Sequence, residues 1–149
     1  HERNSAQHVA LTERIDQPSA ALVKDLKQRG LLDETIVLWC GEFGRLPISQ
    51  AKDGRDHHRH RFWRCPSGGV FNRGYVPGAT DDVGYRAVQD VVRVNDLHAT
   101  LLHALGLNHR QLTYPHNGRP DSLTDPVITG ARVIPQLLSQ AVAHPPSAT

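Results

Sequence analysis

The chain has 149 residues, enough for about one domain with a modest core. A formal charge of +2 and 38% apolar residues exclude a globally basic nucleic-acid binder and a disordered charged tail. No apolar run approaches the ~20 residues of a membrane span, and two cysteines, Cys40 and Cys65, set no disulfide framework.

Taken in chain order, residues 1–15 are polar and read as a loop running into a helix. Asp16-Gln17-Pro18 is a helix-start signal, because Asp caps and Pro is tolerated in the first turn. Ala21, Leu22 and Leu26 then make an apolar stripe, and Gly30 is the stop. "TIVLWC", residues 35–40, reads as a short buried parallel strand, with Trp39 in the core and Cys40 buried and inert. Residues 41–82 form a long loop rich in Gly, Pro, Arg and His, a length that is often functional. "VQDVVRV", residues 88–94, reads as a strand. In the following helix Asn95 or Asp96 caps, Leu97, Leu101, Leu102 and Leu105 form the stripe, and Gly106 ends it. "ITGARVIPQLLSQAV" reads as a final helix broken or restarted at Pro135, and residues 143–149 as a frayed tail. The order helix, strand, long loop, strand, helix predicts an α/β layer fold over residues 1–142. In such a fold ligands gather at the carboxyl ends of parallel strands.

That rule directs attention to "CGEFGRLPISQAKDGRDHHRHRFW", which leaves the first predicted strand. It carries Glu42, Asp53, Asp56, His57, His58 and His60. Carboxylate oxygen and imidazole nitrogen ligate zinc and similar divalent ions. Gly41 and Gly44 let the backbone turn around Glu42, and Arg45 offers a fork of donors for a phosphate or sulfate oxygen. The competing readings are a solvated polar loop and, from Lys52, Arg55, Arg59, Arg61 and Arg64 over residues 52–64 with Phe62 and Trp63 for stacking, a basic aromatic loop for nucleic acid. The rest of the chain is not basic, so neither nucleic acid nor a membrane is the expected partner.

The stretches "DQPSAALVKDLKQRGLLDETIVLWCGEFGR", "GRDHH", "GATDDVGYRAV", "NDLHATLLHALGLNHRQLTY" and "NGRPDSLTD" occur in the order in which they stand in one family. The chain resembles, from His1 to about Leu138, the C-terminal part of the domain-of-unknown-function family 1501. That family is similar to the sulfatases and alkaline phosphatases. The resemblance implies a partial three-layer α/β/α sandwich with a mostly parallel sheet. It also implies divalent metal ions (zinc, manganese or calcium), a small anionic ester as substrate, and an exported or periplasmic location.

The resemblance carries over to few residues. His1 matches the His of an Asp-x-His motif. Glu42 stands where related sulfatases have the first residue of an Asp-His-Gly metal motif, with Phe43 in place of the His. Asp56 and His57 match a later metal-ligating position, with His58 as an additional candidate. Asp96 and His98 match the family and are read mainly as capping and orienting their helix. Arg45 is the candidate for holding the anionic ester. The chain departs from the family at residues 59–73, where Arg59, Arg61, Arg64 and Pro66 replace an apolar strand. The expected function is that of a C-terminal piece of a metal-dependent hydrolase of phosphate or sulfate esters. No Ser or Thr here stands in a nucleophile context, so the piece alone is expected to be inactive. The alternative is a non-catalytic relative that keeps the fold and binds a metal or an anion.

Overall fold

The structure, a computed structural model, describes residues 4–59 and 64–139. They fall into two compact units. One contains the described residues up to Gly69 together with Gly78–Gln89, and the other contains Val70–Pro77 together with the described residues from Asp90 onward.

The first unit opens with helix α1, Asn4–Gln28. It starts well before Asp16 and runs through Pro18, contrary to the expected loop and helix start. Ala6, Gln7, Ala10, Leu11, Glu13 and Arg14 are strong helix formers, and their propensity outweighs the local capping signal at Asp16. Pro18 has no N–H to offer the Arg14 carbonyl, an interior defect that costs ~3 kcal/mol. The helix ends as expected. Gly30 adopts φ 68°, its N–H bonds the Lys27 carbonyl at 3.2 Å, and the Leu31 N–H reaches back to Leu26 at 2.8 Å. This is the paired closure of a glycine-terminated helix.

Strand β1, Val37–Cys40, follows a short 3-10 turn at Leu32–Glu34. It pairs antiparallel with β4, Arg64–Ser67, in the register Val37 to Ser67 and Cys40 to Arg64. Gly69 packs so closely on the 3-10 turn that a Cβ there would lie 2.7 Å from the Asp33 Cα. Between these strands, β2 (Gly44–Arg45) pairs with β3 (His57–His58), also antiparallel. A further hairpin joins β5, Ala79–Thr80, to β6, Ala87–Gln89.

The second unit is built on helix α2, Val94–Ala104, followed by the hairpin of β7 (Tyr114–His116) and β8 (Arg119–Asp121) and the four-residue helix α3, Pro126–Thr129. The hairpin turns through Asn117 (φ 49°) and Gly118 (φ 75°), the left-handed pair that a two-residue turn of the I′ kind requires. Its core comprises Phe71, Leu97, Ala99, Ala131, Leu137 and Leu138. Phe71 bridges to Leu138, and the Asn72 and Ser139 N–H groups donate to Leu137 and Val70 carbonyls at 2.9 and 3.0 Å.

The expected α/β/α sandwich with a mostly parallel sheet is overturned. The described strands form four two-stranded sheets, every pair antiparallel. Parallel pairing needs a long crossover that returns the chain to the same end of the sheet. Among the described residues α2 is the one helix that separates two successive strands, and β7 after it turns on Asn117-Gly118 to pair with β8 rather than with β6. β1 is only half covered. Trp39 is 57% exposed and Cys40 is exposed, against the buried positions expected of them. Pro66 fits in β4 because each strand of a two-stranded ribbon is an edge, where a missing N–H is tolerated.

Three further expectations change. The strand predicted over residues 88–94 stops at Gln89, because Asp90 takes φ 44°. Within the described residues the predicted final helix reduces to α3 and a 3-10 turn at Pro135–Leu137, since Gly130 at φ 66° ends the first; residues 140–142 of it and the expected tail over 143–149 lie outside the described residues. On α2 the buried residues are Asp96, Leu97, Ala99 and Thr100, whereas Leu105 is exposed. That face is partly polar because it holds backbone rather than side chains. The Asp96 carboxylate accepts the Arg93 N–H at 3.1 Å and the Arg132 N–H at 3.0 Å, and the Thr100 hydroxyl accepts the Ile134 N–H at 3.0 Å.

Candidate functional site

The bend after β1 and the short β2–β3 ribbon bring together three of the residues singled out in the sequence. Gly41 to Phe43 turn the chain between strands, and β2 places Arg45 directly across from His57. The Leu46 N–H bonds the Asp56 carbonyl at 2.9 Å and extends the ribbon by one rung. Glu42 Oε1 then lies 3.3 Å from Arg45 Nη2 and 4.0 Å from His57 Nε2. The Phe43 ring packs against the His57 imidazole, with centroids 4.9 Å apart and planes tilted by 38°. Phe43 therefore orients the neighbouring imidazole rather than supplying a donor of its own. All three polar side chains are open to solvent, so their mutual attraction contributes less than ~1 kcal/mol to folding. Their proximity is set by the ribbon and not by the ion pair.

His58, the next residue, behaves differently. Strand alternation sends it to the other face, where it is only 3% exposed. Its Nε2 hydrogen-bonds the Tyr85 carbonyl, so Nε2 carries the proton and is not available to a metal. Its ring packs against Tyr85 with centroids 5.1 Å apart. The carbonyl is presented by the β5–β6 hairpin, whose loop is organised by Asp81. One Asp81 oxygen accepts the Tyr85 N–H at 2.5 Å and the other the Arg86 N–H at 3.0 Å, while Gly84 takes φ 69°. Asp81 thus orders Tyr85, Tyr85 holds His58, and His58 fixes the strand on which His57 faces Glu42. The turn at Asp81 and Gly84 thereby positions this strand through the Tyr85 carbonyl. Nothing local marks a backbone carbonyl as a partner.

The remaining candidates are placed as follows. The Asp56 carboxylate turns back to accept the Gln50 N–H at 3.2 Å, closing the loop between β2 and β3. Asp96 is buried and caps α2 through the bonds given above; with His98 it belongs to the second unit. His1 and His60 lie outside the described residues. In the second unit burial, then the positive charge of Arg110 and of His103, lowers the pKa of His109 below its ordinary 6.5. The Nδ1 of that buried imidazole lies 3.1 Å from the Thr124 hydroxyl.

A tetrahedral zinc ion with bonds near 2.1 Å sets its ligand atoms about 3.4 Å apart. Glu42 and His57 need only a small closing movement to meet that spacing, and both are solvent-accessible. A zinc site takes at least three protein ligands. Among the described residues there is no group of three His, Cys, Asp or Glu side chains that could hold a metal. The described donors, one carboxylate and one imidazole beside a guanidinium, fall short of that number. Among the described residues no helix is long and apolar enough to cross a membrane.

No curated protein and no solved structure matches the chain. A family model described as a protein of unknown function matches residues 1–138, nearly the full length, and the chain therefore belongs to the DUF1501 family.

Proposed function

We propose that this chain takes part in the metal-dependent hydrolysis of phosphate or sulfate esters. It would contribute Glu42 and His57 as two of the metal ligands and Arg45 as the fork that holds the anionic ester. The reading rests on one observation: the Arg45 guanidinium and the His57 imidazole, both solvent-accessible, lie within 4.0 Å of one oxygen of the exposed Glu42 carboxylate, two residues past β1. The metal, zinc, manganese or calcium, would supply charge neutralisation at the ester oxygens and activation of the attacking group. The planar guanidinium of Arg45 presents a fork of N–H donors that suits two oxygens of such an anion. The third ligand would come from residues other than those described, with His1 a candidate. No Ser or Thr of the chain stands in a nucleophile context, so the chain alone is expected to turn nothing over.

A second reading, a non-catalytic relative that binds a metal or anion, draws on the way Asp56 and His58 spend their polar atoms on backbone groups. One pair of assays tests the site. Zinc and manganese binding is measured by calorimetry on the chain and on a Glu42→Ala, His57→Ala double variant, with unfolding followed in parallel. Hydrolysis of p-nitrophenyl phosphate and sulfate is then measured with the metal present. Weak binding that the double variant abolishes, with unfolding unchanged, supports the metal reading. Binding indifferent to both substitutions refutes it. Ester hydrolysis that disappears with Glu42 would show that the chain is sufficient by itself and would exclude the non-catalytic reading.

A further inference from the structure

The second unit holds an open cleft of about 370 Å³ that is separate from the Glu42 cluster. Tyr114 and Arg119 come to it from the β7–β8 hairpin, Asp125 from the residue before α3, and Arg110 from the turn after α2. The charges in this cleft are unevenly satisfied. Asp121 is already engaged, with His116 Nδ1 at 2.9 Å and Arg119 Nη2 at 3.7 Å. The Ser122 hydroxyl accepts the Asp125 N–H at 2.9 Å. By contrast, the Arg110 guanidinium and the Asp125 carboxylate make no hydrogen bond or ion pair with any described residue, nor with each other, although both line the cleft. The Tyr114 ring is 54% exposed beside them.

We propose that this cleft binds a hydroxylated ring that bears a carboxylate, the chemistry of a uronic acid. Its volume lies in the range of small-molecule sites, and its lining is mostly polar, which suits a ligand covered in hydroxyls. Arg110 takes the carboxylate through paired N–H donors. Asp125, an acceptor only, takes hydrogen bonds from ring hydroxyls. The Tyr114 face, negative at its centre, covers the C–H side of the ring. A bare inorganic anion would use Arg110 and leave Asp125 facing it. A neutral sugar would leave Arg110 without a counter-charge. An amino acid would satisfy both charges but has no ring for Tyr114.

The test is ligand-observed saturation-transfer NMR on the full chain, with D-glucuronate as probe and glucose, acetate and glycine as controls. Arg110→Ala and Tyr114→Ala are compared with Arg132→Ala, an exposed arginine outside the cleft lining. The proposal expects saturable glucuronate binding, weakened roughly tenfold or more by Arg110→Ala, as loss of a charge-assisted pair implies, and unchanged by Arg132→Ala. Glucose and acetate should each bind at least about tenfold more weakly than glucuronate, since each keeps only half of the contacts. Circular dichroism that matches the parent shows the variants folded, as expected for exposed side chains. Absence of glucuronate binding, equal binding by Arg110→Ala, or stronger binding of glycine than of glucuronate would each overturn the proposal.

Discussion

His57 and His58 are adjacent and chemically identical, yet the structure assigns them opposite roles, and replacing each by alanine tests this directly. His58 is buried, and its Nε2–H is the donor that satisfies the Tyr85 carbonyl. Removing it deletes a hydrogen bond worth about 1 kcal/mol and leaves a carbonyl without that donor, a further cost of about 1–3 kcal/mol. A loss of roughly 2–4 kcal/mol is large for a domain whose whole stability is of order 5–15 kcal/mol. His57 is exposed, with a ring contact to Phe43 and a 4.0 Å approach to Glu42, so His57→Ala should stay within about 0.5 kcal/mol of the parent. The assay is urea unfolding followed by circular dichroism, with slopes compared so that midpoints can be read as stabilities. Zinc binding should invert the order at temperatures where both variants are folded, being lost in His57→Ala and retained in His58→Ala. If the two variants unfold at the same urea concentration, the division of labour between these histidines is wrong.

Asp96→Ala should destabilise the chain by about 2–4 kcal/mol, because one carboxylate accepts the N–H groups of both Arg93 and Arg132. Asp96→Asn should cost less, since its single carbonyl oxygen still accepts; thermal unfolding of the pair checks this. The lowered pKa of His109 gives stability a pH dependence with a definite sign. The unfolded chain takes up a proton as pH falls through 6.5, whereas the folded chain resists it until lower pH, so stability is full above about 6.5 and declines below it. His109→Asn should flatten that part of a denaturation profile measured from pH 7.5 to 5. Gly118→Val should destabilise the β7–β8 hairpin, because a β-branched residue at φ 75° is strained, and should broaden the amide signals of Tyr114 and Asp121.

The sequence by itself marked the ends of elements. Gly30 and Gly106 stop their helices at φ 68° and 76° because only glycine enters that region without strain, and this depends on no distant partner. Asn117-Gly118 carried an equally local hairpin signal that was open to reading. The family too was legible, because several short motifs in a fixed order are specific in combination. The cluster of metal-capable residues after β1 could be recognised by composition, but which of them meet could not. Glu42, Arg45 and His57 converge because the β2–β3 register sets Arg45 opposite His57 and Gly44 opposite His58, and a register is a property of two strands, not of one. Pairing direction was likewise undetermined. The run from Thr35 to Cys40 has the β-branched apolar character of a buried parallel strand, yet it lies in an antiparallel ribbon with Trp39 exposed. Apolar content reports a preference for burial, whereas burial itself requires another layer to pack against, and only the tertiary structure decides whether one is there.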